Sequence, residues 1–435
     1  MKASNSAFYR SIGKSMLGRY SVYGANLLSM MLLARLFTPG TFGTVAAIMV
    51  FFTFFQLMAE AGLGPAIINL DKLGAEDRNG LFGLTLVLGV VLGGIFFALS
   101  PVFLAFYHLP RVEEVIPYVA VALLFFAAAI VPSALLLRDQ AYFRIAQAGL
   151  AGEILSTLFA VALLQFIDPL HALASKAATT AVTNFGVQYH FSKYTEFGQP
   201  RWGRKFSAVK PLLSFSGYQF GFNFINYFSR NLDNILIGRY LGAASLGVYD
   251  KAYQLMRYPL LLLTFAMTPA IQPTIRKYAD DKDRVEAFHR DFTLKLSLIG
   301  TVAGLGIYVL ADWIVRLMLG TQWAGVVPII KVLSIAIPVQ VVLSTSGSFF
   351  QAMNRANLLF YTGLMSSAVM IAAIVWGVLQ RDMITLSWAI VAAFHVNFFQ
   401  AYYMMYSRIF ERGFVSFLLR MTPAAAVILG MVIWY

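Results

Sequence analysis

The sequence predicts an all-α polytopic membrane protein, two six-helix lobes around a central cavity with at least one additional C-terminal helix, and three observations predict it. Of 435 residues, 59% are hydrophobic and only 12% charged, with a mean hydropathy of +0.71, far from the roughly 25% charged residues of soluble domains. The apolar runs are long enough for helices to cross a hydrocarbon core of roughly 30 Å, whereas barrel strands would be about 10 residues of alternating polarity. A hairpin sequence, ARLFTPGTFGTVA at 34–46, has an echo at 238–250, GRYLGAASLGVYD, which lies 204 positions on.

Taken in chain order, residues 4–16 place Phe8, Ile12 and Met16 on one side among basic residues. That suits a helix lying in the membrane interface, and a frayed tail equally well. Thirteen spans follow, at 18–37, 42–67, 80–106, 115–137, 145–166, 170–191, 212–238, 246–273, 293–317, 324–352, 357–379, 383–406 and 415–435. Gly89 with Gly93 in the third span and Gly300 with Gly304 in the ninth are small-xxx-small pairs and read as helix-packing faces. Glu153 and Lys176 are ionisable groups in the fifth and sixth spans, the lysine near enough to an end to snorkel. Pro328 and Pro338 predict a kinked tenth span, and His395 in the twelfth reads as a core histidine.

Charge supplies the topology. With the N-terminus cytoplasmic, 23 of the 33 Lys and Arg residues fall at that side, and only Arg35, Arg111, Arg239, Arg316 and Arg381 fall opposite, which fixes the orientation by the positive-inside rule. The net charge of +13 is therefore a topology signal rather than a nucleic-acid footprint. The chain has no Cys, which removes disulfide and thiolate chemistry, and no cleavable signal is apparent. No Gly-rich loop ending in GK[ST], no HExxH and no G-x-S-x-G occurs, so no cofactor, metal or catalytic site is expected.

At the offset of 204, Arg35 meets Arg239, Gly43 meets Gly247 and Pro65-Ala66-Ile67 meets Pro269-Ala270-Ile271. Two halves of parallel topology follow, the kind of repeat found in alternating-access transporters. The expected organisation is an N-terminal lobe at 1–192, a cytoplasmic linker at 193–211, a C-terminal lobe at 212–410 and an added span at 411–435.

LLARLFTPGTFGTVAAIMVFFTFFQLMAEAGLGPAIIN (32–69) and RNLDNILIGRYLGAASLGVYDKAYQLMRYPL (230–260) resemble the polysaccharide transporters, or Wzx-type O-antigen flippases, of the multidrug/oligosaccharidyl-lipid/polysaccharide exporter (MOP) superfamily, which includes the MATE-like exporters. The resemblance implies a multi-pass protein of a bacterial inner membrane. Its implied substrate is an undecaprenyl-diphosphate-linked oligosaccharide, turned from the cytoplasmic to the periplasmic face for O-antigen, capsule or exopolysaccharide assembly. The implied partners are the lipid bilayer, a polysaccharide polymerase and a chain-length regulator. Family members usually have fourteen spans, and this chain stops at Tyr435 within the thirteenth.

Independently of that resemblance, charged groups inside a bilayer are costly and mark pathways. Gln219, Asn223, Asn226, Arg230, Asp233 and Asn234 recur at intervals of three and four in the seventh span, and Asp250, Gln254 and Arg257 in the eighth. With a hairpin from about 240 to 246, Arg230 and Arg257 both lie roughly 15 Å deep. Two guanidinium forks at one depth suit a diphosphate, with Lys251 and Lys331 as supporting cations and Asn223, Asn226 and Gln254 as polar contacts. The competing reading pairs Arg230 with Asp233, and Asp250 with Arg257 or Lys251, as a packing seam. Glu60, Asp233 and Asp250 are candidates for ion coupling, Glu60 as a buried carboxyl. A multidrug exporter would need an apolar, acidic cavity, and a membrane-embedded polymerase or glycosyltransferase would need a sizeable periplasmic loop. Neither fits as well.

Overall fold

The computed structural model describes the backbone of residues 2–60, 63–70, 73–204, 216–265 and 268–435 and, within these, side chains outside 1–17, 216–226, 263, 265 and 268–270. The helices are α1 (Lys2–Leu36), α2 (Pro39–Glu60), α3 (Leu63–Asn69), α4 (Ala75–Ala98), α5 (Ser100–Tyr107), α6 (Ile116–Arg138), α7 (Tyr142–Leu163) and α8 (Pro169–Ser192). After the linker come α9 (Ser216–Tyr240), α10 (Gly242–Phe265), α11 (Thr268–Arg276), α12 (Lys282–Met318), α13 (Val326–Ser334), α14 (Ile337–Ala352), α15 (Ala356–Leu379), α16 (Met383–Met405), α17 (Phe414–Arg420) and α18 (Thr422–Trp434). No strand occurs among the described residues.

Each of the thirteen predicted spans falls on one of these helices or on a consecutive pair. Among the described residues, seven helical stretches are long and apolar enough to cross a membrane, or nine if each of two bent pairs is one span. Helices α1, α8, α9 and α10 fall short of that measure because polar residues interrupt them, as Ser175, Lys176, Thr179, Thr180, Asn184 and Gln188 do in α8. A helix of that kind needs protein or water on its polar face rather than lipid. The kink expected from Pro328 and Pro338 is a 57° bend between α13 and α14, with Pro338 in the first turn of α14, where its missing N–H costs nothing. The final span is bent too, by 64° between α17 and α18.

Two expectations change. Residues 282–295 are not a loop: they form the first turns of α12, which runs 37 residues, about 55 Å at 1.5 Å per residue. Its charged start, KDRVEAFHRDFTLK, continues the helix beyond the hydrocarbon thickness. Likewise the second hairpin is shorter than expected, because α10 begins at Gly242 rather than near 246. The interfacial reading of residues 4–16 meets a helical backbone in α1, but its side chains lie outside the described residues.

The helices form two compact units, 1–231 with 242–247, and 232–241 with 248–435. In the first, α4 lies directly on α6: a Cβ on Gly89 would stand 2.8 Å from the Leu124 carbonyl oxygen, and one on Gly93 2.8 Å from that of Ala120. Backbone contact that close requires glycine, so this pair is a packing face as predicted. The same unit explains the hairpin echo. A Cβ on Gly43 would lie 1.6 Å from the Ala243 carbonyl oxygen, and one on Gly247 2.0 Å from that of Pro39. The two glycines that match at the 204 offset cross each other backbone to backbone. Arg35 and Arg239 each occupy the last turn of the helix entering a hairpin, where cations suit the helix dipole. Beside the crossing, the Tyr227 hydroxyl donates to the Val50 carbonyl, and Phe54 and Phe228 meet with centroids 4.9 Å apart. Glu153 and Lys176 form a buried pair between α7 and α8, with Nζ 2.8 and 3.0 Å from the two carboxylate oxygens.

In the second unit α12 packs on the bent pair, with a Cβ on Gly304 placed 2.9 Å from the Ser334 carbonyl oxygen and one on Gly300 3.2 Å from Pro338 Cα. Its charged start is tied to the connection between α16 and α17 by Lys282–Glu411 and Arg412–Asp283, both at 2.6 Å. His289 sits fully buried among Phe349, Tyr402, Tyr406, Phe410 and Phe417, docking α17 against α12.

Candidate functional site

Helices α9 and α10 carry most of the residues singled out in the sequence. Arg230 lies ten residues before the end of α9, about 15 Å along the helix, and is exposed. Arg257 lies fifteen residues after the start of α10, about 22 Å along it, so the expectation that each arginine stands 15 Å from its hairpin holds for Arg230 and is corrected for Arg257. The cause is the shorter turn. Arg257 is exposed, and Pro259 two residues later lies inside the helix. Proline cannot return a hydrogen bond to the fourth residue before it, which frees the Leu255 carbonyl and weakens the ladder around Arg257. Among the described residues neither arginine enters an ion pair.

Asp233 is occupied otherwise than the competing reading expected. Asp233 is buried and accepts a 2.7 Å hydrogen bond from the Tyr249 hydroxyl and another, 2.9 Å, from the Asn234 N–H. Tyr249 in turn stacks on Tyr253 with centroids 5.7 Å apart. Asp250 takes the ammonium of Lys251 at 3.0 Å, and that same ammonium donates to Gln254 Oε1 at 3.1 Å. Lys251 is only 7% exposed. It is therefore an internally balanced cation rather than an open one, because a long side chain beside an acidic neighbour can fold back along its own helix. Of the competing pairings weighed in the sequence, Asp250 with Lys251 is the one that forms.

Lys331 is half-buried in the last turn of α13, its ammonium 5.8 Å from the centroid of the Tyr308 ring, a cation–π distance. Asn223 and Asn226 lie on α9, but their side chains are outside the described residues. Glu60 is the last residue of α2 and is exposed. The expectation of a buried carboxyl there is corrected. His395 bonds the Val391 carbonyl through Nδ1 at 2.8 Å, within its own helix. Among the described residues no group of three or more His, Asp or Glu is placed to hold a metal ion.

Sequence reasoning missed Tyr249, Tyr253, Pro259 and Tyr308. A signal was present for the first two, tyrosines spaced i, i+4 through YDKAY on one face of the helix. Tyr308 gave none, because its partner Lys331 lies on another helix.

The "Polysaccharide biosynthesis protein" family model matches residues 32–328, which contain both hairpins and every candidate site residue described above except Lys331 and His395. The chain belongs to this family. Relatives include the teichuronic acid biosynthesis protein TuaB of Bacillus subtilis, 26% identical over 79% of this chain and 71% of that protein. Another is the lipopolysaccharide biosynthesis protein WzxC of Escherichia coli, 23% identical over 92% of this chain and 80% of that one. Among solved structures, the lipid II flippase MurJ in an inward closed conformation superposes with a TM-score of 0.72 at 12% identity, over 96% of this chain and 98% of that one. The family member described here is thus a multi-pass membrane protein of a polysaccharide biosynthesis family, and its fold is the one seen in MurJ.

Proposed function

We propose that the protein is an inner-membrane flippase that turns undecaprenyl-diphosphate-linked oligosaccharide units from the cytoplasmic to the periplasmic face, N-terminus cytoplasmic, for surface polysaccharide assembly. One observation carries the reading: Arg257 presents an exposed guanidinium fifteen residues into α10, a helix read here as a span with a polar face, and no carboxylate is paired to it among the described residues. An uncompensated charge at that depth is costly, and an anionic substrate compensates it. A diphosphate fits best, because the guanidinium fork holds two phosphate oxygens at once and stays charged at every accessible pH. Lys331 and Arg230 are assigned as further cations for the same substrate, and Asp233 with Tyr249 as the carboxyl unit that couples transport to an ion gradient. A polysaccharide polymerase and a chain-length regulator receive the product.

Arg257→Ala is expected to abolish surface polysaccharide at normal membrane levels of the protein, and Arg257→Lys to restore it only in part, since the fork is lost. Normal polysaccharide from Arg257→Ala removes the reading and favours export of an uncharged or cationic substrate, the multidrug alternative.

A further inference from the structure

A second set of cations gathers in the first unit where α4 begins and α6 and α8 end. The segment after α8, 193–204, is held there as a strap. Arg78 donates to the Phe197 carbonyl and, through Nε and Nη2, to Asn79 Oδ1 at 3.1 and 3.0 Å. The same Asn79 oxygen accepts the Arg201 N–H at 2.8 Å, and Gln199 Nε2 donates to the Tyr189 carbonyl at 3.0 Å. Gly198 turns the chain at φ +68°, and a Cβ on Gly83 would stand 2.1 Å from the Gly203 carbonyl oxygen. The strap therefore lies backbone on backbone across α4, fixed rather than draped.

Its aromatic rings hold cations in place. Arg138 lies 4.8 Å from the Phe197 centroid, Arg144 5.2 Å from Tyr194 and 5.7 Å from Phe191, and Lys193 4.7 Å from Tyr194. A guanidinium with its face against a ring keeps its in-plane N–H donors directed outward. Arg144, Lys193 and Arg201 enter no ion pair among the described residues, so their charge is unspent. Tyr194 and Trp202 are more than half exposed, and exposed Tyr and Trp beside basic residues belong at headgroup depth in a membrane. A phosphate met there is borne on a lipid.

We infer that this strap is a docking site for the diphosphate of a polyprenyl lipid carrier, bound by Arg144, Lys193 and Arg201 before the lipid enters the transport path. The inference rests on the flippase reading. Several fixed donors match the multiple charges and oxygens of a diphosphate, whereas a phospholipid phosphodiester carries a single charge.

The test uses full-length protein in phosphatidylcholine nanodiscs, with farnesyl diphosphate as the probe, measured both in the native sequence and with Arg257→Ala. Arg144→Ala with Lys193→Ala should weaken binding by about tenfold or more. Tyr194→Leu keeps every charge but removes the platform and should weaken it several-fold, and Tyr194→Phe should not. Should the alanine pair fail to fold, Arg144→Gln with Lys193→Gln carries the same expectation. Native-level binding by the double variant or by Tyr194→Leu overturns the site. Equal displacement of the probe by phosphatidylglycerol at matched mole fraction also overturns it, since the surface then reads anionic lipid in general. The Arg257→Ala background separates the two readings: normal transport by that variant sinks the flippase site alone, while the binding result still judges the strap.

Discussion

Asp233 shows what a single residue's chemistry left legible and what it hid. Its place on a polar helical stripe marked it as noteworthy, because a carboxylate in an apolar span is costly. Its partner was not legible, since the nearest opposite charge in sequence, Arg230, competes with a hydroxyl sixteen residues away that only the hairpin brings back. The 2.7 Å bond from Tyr249 leads to a measurable expectation. Tyr249→Phe should lower stability by about 1–3 kcal/mol, the cost of leaving a buried acceptor short of a donor, read as a drop in the thermal midpoint in detergent. An unchanged midpoint would mean that the hydroxyl bond is incidental. With Asp233 bonded elsewhere, Arg230→Met alone separates roles: full export by that variant would remove Arg230 from the substrate site. Glu60 and Lys251 teach the converse. Residue type alone marked both, but burial and pairing depend on which face a side chain occupies and which neighbour a flexible chain finds.

Among elements, the crossing of α2 and α10 is the part of the fold most fully written in the sequence. Gly43 and Gly247 matched at a fixed offset because each must admit the other's backbone. Gly43→Ala and Gly247→Ala should each destabilise by about 1–3 kcal/mol through overpacking, and the double variant by less than the sum, because one displacement relieves both. Additive losses in a double-mutant cycle would place the two glycines at independent sites. Helix starts give a pH signature. Asp168 caps α8, its carboxyl held below the usual range first by Arg111 and then by the Leu170 N–H; Asp382 caps α16, held down by the Thr385 hydroxyl and N–H. A depressed carboxyl stabilises at neutral pH, and the contribution fades only as pH falls below about 4 through the folded-state value. Hydrogen exchange at the Leu170 and Thr385 amides should therefore be flat from pH 7 to 5 after correction for intrinsic rates, and accelerate below 4. Asp168→Asn and Asp382→Asn should abolish that acceleration. The long start of α12 was less legible, because its charges read as a loop while its helical period continued unbroken.

For the whole molecule, the thirteen spans expected from apolar runs each fall on described helices, yet only seven to nine stretches pass as spans and α1, α8, α9 and α10 are too polar to pass as lipid-facing spans by themselves. Their polar faces record an environment that a linear scan cannot assign. The charge asymmetry predicts that residues 193–204 and the start of α12 face the cytoplasm. The chain has no native Cys, so single cysteines at Glu196 and Asp283 should resist an impermeant reagent added from the periplasm and react after permeabilisation. Labelling from outside would reverse the orientation. The most direct measurement of the central claim is translocation of a polyprenyl-diphosphate oligosaccharide by purified protein in sealed vesicles, followed by the accessibility of its sugar to an external enzyme. The account predicts translocation by the native chain, a loss on the order of a hundredfold in Arg257→Ala and partial recovery in Arg257→Lys; equal rates in all three would contradict it.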